Sequence, residues 1–478
     1  MHRYALAIVC CALVSLWAVA APVITGGFAP NRVYQVGEDD TASIALSGTG
    51  EDGPVEARWI SRGNTDTAWQ TIATAADGEW SGTLEGVPVG GPYTLVLRQG
   101  EGEDQRAIFG DIYCGDLWVL AGQSNMQGVG NNLAVTPPHP RVMVFAKNDE
   151  WRIAEEPLHR LAESPDVVHN RREQLEESPA PAVDVTGWTK GAGLGLAFAT
   201  AVTEATGRPI GLIACAHGGT SMEQWDPAKR DEGGASLYGS MYRRVQLVGG
   251  EVTGLLWYQG ESDANADAAP LYKDKFQAFI EAVRSDFNAP DLPFYYVQIG
   301  RFTNPNDSIH WDQVQHAQYE LAAEMDAVEV VSAIDLALDD RIHIDTKGLQ
   351  TLGHRFAMLA LTNVYNANIV GSAPRLHTIT RGEAPYGRYY RLTFDVPNGA
   401  LTAPGLVHGF TIHDADGTQQ VFKQEVDPDD LKSILLWVMQ YMDDTTLHYG
   451  YGYDPVCTVV DTSGLSMPAF GPIPLPTE

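Results

Sequence analysis

Leu117-Trp118-Val119-Leu120-Ala121-Gly122-Gln123-Ser124-Asn125-Met126 decides how this chain is read. Its apolar run is short and unbroken, without the alternation of a strand that keeps one face wet, and therefore reads as a strand buried on both faces. Ser124 then sits at the carboxyl edge of a sheet, where open α/β folds collect their reactive groups. A serine there is either a nucleophile or the cap of the next helix, and the pentapeptide alone leaves both open.

Working outward, residues 211–215, 255–258 and 294–297 repeat the buried-strand pattern. Residues 195–206, 271–287, 314–325 and 348–364 carry apolar side chains at helical spacing. Strands alternating with helices predict a parallel sheet covered on both faces. Upstream, runs at 42–46, 55–59 and 93–97 are punctuated by Asp77-Gly78 and Gly90-Gly91-Pro92, which predicts an antiparallel β-sandwich. Residues 148–185 are charged, Pro-containing and irregular, and read as a long loop or subdomain near the site. Downstream, 389–394 and 409–412 are β-like, whereas 431–441 is apolar at helical spacing after Asp427-Pro428-Asp429-Asp430 and predicts an inserted helix. The divisions are an export signal at 1–20, a β accessory domain at 21–113, an α/β domain at 114–370 and a β-rich module at 371–478.

The signal reading rests on Met1-His2-Arg3, an apolar run to Ala20, and the small residues Ala18 and Ala20 flanking Val19. Cleavage after Ala20 makes the product secreted or periplasmic, with no stable membrane association; an uncleaved anchor is the competing reading. Of five cysteines, Cys10 and Cys11 leave with the signal. Cys114, Cys215 and Cys457 are too sparse for a disulfide framework or a zinc site, and are expected as buried thiols. With 31 Lys and Arg against 61 Asp and Glu, the net charge of -30 argues against nucleic acid as a partner. An anionic sugar would need locally placed cations, whereas a neutral acetylated sugar would not.

Asp340-Arg341-Ile342-His343 follows the strand expected at 328–335 and puts a carboxylate three residues before a histidine on one loop. The carboxylate can hold one ring nitrogen while the other faces a serine on a neighbouring strand end. Asp339 and Asp335 stand near enough to substitute for Asp340. Gly218-Gly219-Thr220 and Gln259-Gly260-Glu261 end two further buried strands, where a glycine N–H and a glutamine amide can serve a developing oxyanion.

These four blocks, Gly-Gln-Ser-Asn-Met at 122–126, Gly-Gly-Thr at 218–220, Trp-Tyr-Gln-Gly-Glu-Ser-Asp at 257–263 and Asp-x-x-His at 340–343, resemble the sialate O-acetylesterase and acetylxylan esterase group of SGNH hydrolases. The resemblance implies a three-layer α/β/α, flavodoxin-like catalytic domain and deacetylation of oligo- or polysaccharides with no metal or cofactor. It also implies Ser124 as nucleophile, His343 as base, Asp340 as its partner, and Ser124, Gly219 and Gln259 as oxyanion donors. Glu261 sits where some members use a carboxylate to support the histidine, and Gln123, Asn125 and His217 are candidates to touch substrate. Gln127 and His217 depart from the sialate branch, and Cys215-Ala216-His217 looks closer to the acetylxylan branch. Two rival readings are an inactive carbohydrate-binding protein and an SGNH lipase or thioesterase.

Overall fold

The computed structural model describes residues 21–477 except 62–66, 101–104, 171–183, 305, 386, 416 and 420. The expected export signal at 1–20 lies outside the described residues. Among those residues no helix is long and apolar enough to cross a membrane. Two compact units emerge. One comprises Ser43–Val87, Tyr93–Gly110 and the chain up to Phe28; the other comprises Ala29–Ala42, Pro88–Pro92 and everything from Asp111 onward.

The first unit is antiparallel. Strand Gly53–Ser61 pairs with Gln70–Ala75 and with Gly90–Arg98, and Val23–Gly26 pairs with Thr41–Thr49. Alternate residues Ile44 and Leu46 are buried between exposed neighbours, the period-two pattern of a strand with one wet face.

The second unit is built on a mixed sheet. Its parallel strands are β1 (Arg106–Gly122, which enters this unit at Asp111), β2 (Val142–Phe145), β3 (Ile210–Ala214), β4 (Gly254–Tyr258), β5 (Phe294–Gln298) and β6 (Val328–Ser332), in the order β2-β3-β1-β4-β5-β6. Strand Trp151–Ile153 adds an antiparallel edge beside β2. Leu117 to Ala121 are fully buried, and Trp118 packs against Phe198 and Tyr295 at ring-centroid distances of 5.0 and 5.8 Å. The chain leaves β1 for β2 and β3 on one side and returns to β4 on the other. The β1/β4 junction is therefore where the strand order reverses, the position at which open α/β sheets place their ligand crevices.

Five longer helices cover the sheet: α1 (Gly195–Thr206), α2 (Leu237–Leu247), α3 (Tyr272–Asp286), α4 (Ile309–Glu324) and α5 (Thr346–Asn363). α1 and α5 pack on each other, as do α3 and α4. α1 stops at Gly207, a left-handed residue whose N–H returns to Thr203 O. α5 starts at Asp345, whose side chain accepts from Gly348 N–H at 2.7 Å, just after the loop carrying His343. α4 begins at Ile309, ahead of the expected 314. α2 escaped the periodicity altogether, because its buried positions include Gly239, Ser240 and Arg244. Residues 148–170 hold the edge strand, a 3-10 turn at Leu161–Glu163 and a short helix at Val167–Asn170.

From Arg375 onward two four-stranded antiparallel sheets enclose a second core that includes Leu392, Ile412, Ile434, Leu436 and Phe470. The helix expected at 431–441 is instead strand Asp430–Val438, paired on both sides with Gly387–Asp395 and Val421–Asp427. Ile434 to Val438 are all buried, so their continuous apolar run carries no period. Asp427 to Asp430 form the hairpin turn between two strands rather than a helix cap. Cys114, Cys215 and Cys457 are buried and unpaired.

Candidate active site

β1 ends at Gly122 with φ +128°, and a Cβ there would lie 2.3 Å from the Tyr258 carbonyl oxygen. Only glycine allows this approach. It lets Gln123 N–H donate to Tyr258 O at 2.8 Å and His217 N–H to Gly122 O at 3.0 Å, which ties the ends of β4 and β3 to that of β1. One helical turn, Ser124–Gln127, follows with Ser124 first. Gly218 lies against it: a Cβ on Gly218 would sit 3.4 Å from Ser124 Cβ. Among the described residues, the N–H groups of Ser124 and Gly219 make no backbone hydrogen bond.

The loop after β6 closes through Asp339 N–H to His343 O at 2.7 Å. Within it, Asp340 Oδ1 accepts the N–H groups of Ile342 and His343, each at 2.9 Å, and Oδ2 lies 2.7 Å from His343 Nδ1. His343 Nε2 lies 3.0 Å from Ser124 Oγ. Partial burial opposes charge on Asp340, but the hydrogen bonds from His343 and the two amides outweigh it and hold the carboxyl at about 2. The other two carboxylates are occupied, Asp339 by Lys190 and Asp335 by Arg355. Of the three acids that spacing left open, Asp340 is the one facing His343.

The remaining expected residues divide. Gln123 is buried, and its side-chain oxygen accepts from Ser262 N–H at 3.3 Å. Asn125, also buried, donates to Glu261 at 2.8 Å and accepts from Ile344 N–H at 3.1 Å. Both side chains link the Ser124 turn to its neighbours. Burial raises the Glu261 carboxyl, opposed by the Asn125 hydrogen bond. Its hydrogen bond goes to Asn125, while the His343 nitrogens face Asp340 and Ser124. The Gln259 amide is engaged within the protein. It is fully buried, and its amide nitrogen donates to Thr220 O at 3.0 Å and to Asp263, so both of its hydrogens are engaged.

His217 stands beside Gly218 with Nδ1 3.0 Å from His169 Nδ1. Behind it, buried His169 lies 3.0 Å from Lys147 Nζ and 3.1 Å from Ser240 Oγ. Burial, and then Arg244, draw Lys147 down to about 7. Asp263 and His169 escaped sequence reading. Asp263 holds Gln259 and the Met222 amide, and its acid at i+4 from Gln259 was the one visible signal. His169 lies 48 residues from its partner, with nothing local to mark it.

The family described as carbohydrate esterase, sialic acid-specific acetylesterase, matches residues 114–362. The chain is 32% identical over 286 residues to a protein of Arabidopsis thaliana named as a probable carbohydrate esterase, covering 55% of this chain and 96% of the relative. It is 24% identical over 382 residues to the sialate O-acetylesterase of Homo sapiens, covering 69% of each. Among solved structures, a carbohydrate acetylesterase from Xanthomonas citri shares the fold with a TM-score of 0.65 at 23% identity, over 94% of this chain and 99% of that one. With the segments of Ser124, Gly218, Gln259 and His343 brought together and the family match spanning them, the chain belongs to the carbohydrate esterase family of sialic acid-specific acetylesterases, which are carboxylic ester hydrolases.

Proposed function

We propose that the protein is an exported serine esterase of the three-layer SGNH type, flanked by β-rich accessory domains, that removes O-acetyl groups from carbohydrate through an acetyl-serine intermediate. The observation that carries this reading is the relay of Asp340, His343 and Ser124, with contacts of 2.7 and 3.0 Å. Ser124 Oγ attacks the acetyl carbonyl while His343 Nε2 takes its proton, and ionised Asp340 keeps the ring's other proton on Nδ1. The oxyanion is met by the N–H groups of Ser124 and Gly219. Gln259 joins them only after leaving Thr220 and Asp263. The imidazolium then protonates the departing sugar oxygen, the acyl bond to that oxygen breaks, and water activated by His343 releases acetate and restores Ser124.

The test is acetate release by the protein and its Ser124→Ala variant from acetylated xylan, xyloglucan, pectin and acetylated sialic acid. Release from at least one of these, reduced by about three orders of magnitude or more in the variant, is expected. Release that survives the substitution would overturn the serine mechanism, and no release from any of them would overturn the carbohydrate reading.

A further inference from the structure

The relay stands on an exposed foundation. The Asp340 and His343 side chains are 49% and 24% exposed, and a water-facing hydrogen-bonded pair of this kind holds its geometry weakly. What ties the base loop to the nucleophile turn from beneath is Asn125, 1% exposed, which sits next to Ser124 in sequence. Its Oδ1 accepts Ile344 N–H at 3.1 Å, and its Nδ2 reaches toward Ile342 O at 3.5 Å, so one amide spans the residues on both sides of His343. An amide can present either end. Glu261 decides which, because its Oε1 accepts from Nδ2 at 2.8 Å. Glu261 Oε2 is buried without a hydrogen-bond partner among the described residues, so Asn125 is its one side-chain attachment.

Resting on the esterase reading above, we propose that Asn125 and Glu261 are positioning residues: Glu261 orients the Asn125 amide, and Asn125 holds the His343 loop against the Ser124 turn. Glu261 thus acts on the placement of His343 through Asn125. Loosening the clasp displaces the base from the serine, and a displacement of about 1 Å in a reacting pair costs on the order of 100-fold in rate.

The experiment is a double-mutant cycle on turnover of an activated acetyl ester, joined to amide hydrogen exchange at Ile344, which reads the clasp without reference to turnover. Glu261→Ala and Asn125→Ala are each expected to lower kcat by about 10–100-fold with KM little changed, and the double variant to fall no further than Asn125→Ala alone. Glu261→Gln keeps an acceptor for Asn125 and is expected to recover most of kcat. Exchange at Ile344 should accelerate in both alanine variants and not in Glu261→Gln. Additive losses, or a Glu261→Gln variant as slow as Glu261→Ala, would overturn the proposal, as would unchanged exchange at Ile344. Turnover that survives Ser124→Ala would instead overturn the esterase reading, leaving the exchange result to judge the clasp itself.

Discussion

Asp340 carries a charge that its surroundings keep in place. Its folded value is depressed from 3.8 to about 2, so the stability it contributes is fully present above 3.8 and fades as the pH falls through 2. Acid unfolding of the protein and of Asp340→Asn should therefore differ by a constant amount above 3.8 and converge toward 2. At neutral pH the same variant should lose about 100- to 1000-fold in kcat, less than a fully buried relay acid would, because water partly replaces the carboxylate here; steady-state kinetics checks it. Ser124, His343 and Asp340 were legible in the sequence because each stands at a strand end or within one short loop, where spacing is geometry. The engagement of the Gln259 amide was not, since the residues that occupy it come partly from another strand end. The turning of Asn125 inward was equally hidden, because nothing in a pentapeptide says which side faces solvent.

At the scale of elements, the strand-to-helix turn at Gly122 is the piece on which the site depends. Gly122→Ala forces an L residue to φ +128° and drives its Cβ into Tyr258 O, and should cost about 1–3 kcal/mol or more by urea denaturation. Activity should fall further than stability, because the β1/β4 closure sets where Ser124 points. Sequence reading of the elements succeeded where burial is one-sided or where an apolar run ends on a turn residue. It failed for strand Asp430–Val438, whose unbroken apolar residues fit a buried strand and a helix alike, and tertiary pairing on both sides decided between them. α2 was missed for the opposite reason, as buried Arg244 interrupts the pattern by bonding the carbonyls of Phe145 and Ala146.

At the scale of the whole molecule, the chain from Asp111 to the C-terminus forms one compact unit, although the return to β-like runs suggests a break near 370. Gln298 at the end of β5 is fully buried and exchanges hydrogen bonds with Ala469, donating at 2.8 Å and accepting at 2.7 Å. Tyr319 and Ile334 belong to the core of the C-terminal strands. Phe302 N–H donates to Tyr453 O at 2.7 Å, and the adjacent Thr303 pairs with Arg341 on the base loop. A chain ended at residue 370 would expose these groups, and should yield insoluble protein or a markedly lowered Tm; a truncated chain as stable as the whole would show the two parts to be independent. Such shared burial leaves little trace in sequence, because Gln298 and Ala469 are ordinary residues until the fold brings them together. The central claim is that Ser124 carries the acetyl group during turnover. Mass spectrometry of protein quenched with acid during turnover of an activated acetyl ester should find the mass of one acetyl group on the peptide containing Ser124, whereas steady turnover with no acetylated peptide, or with the acetyl on another residue, would contradict the account.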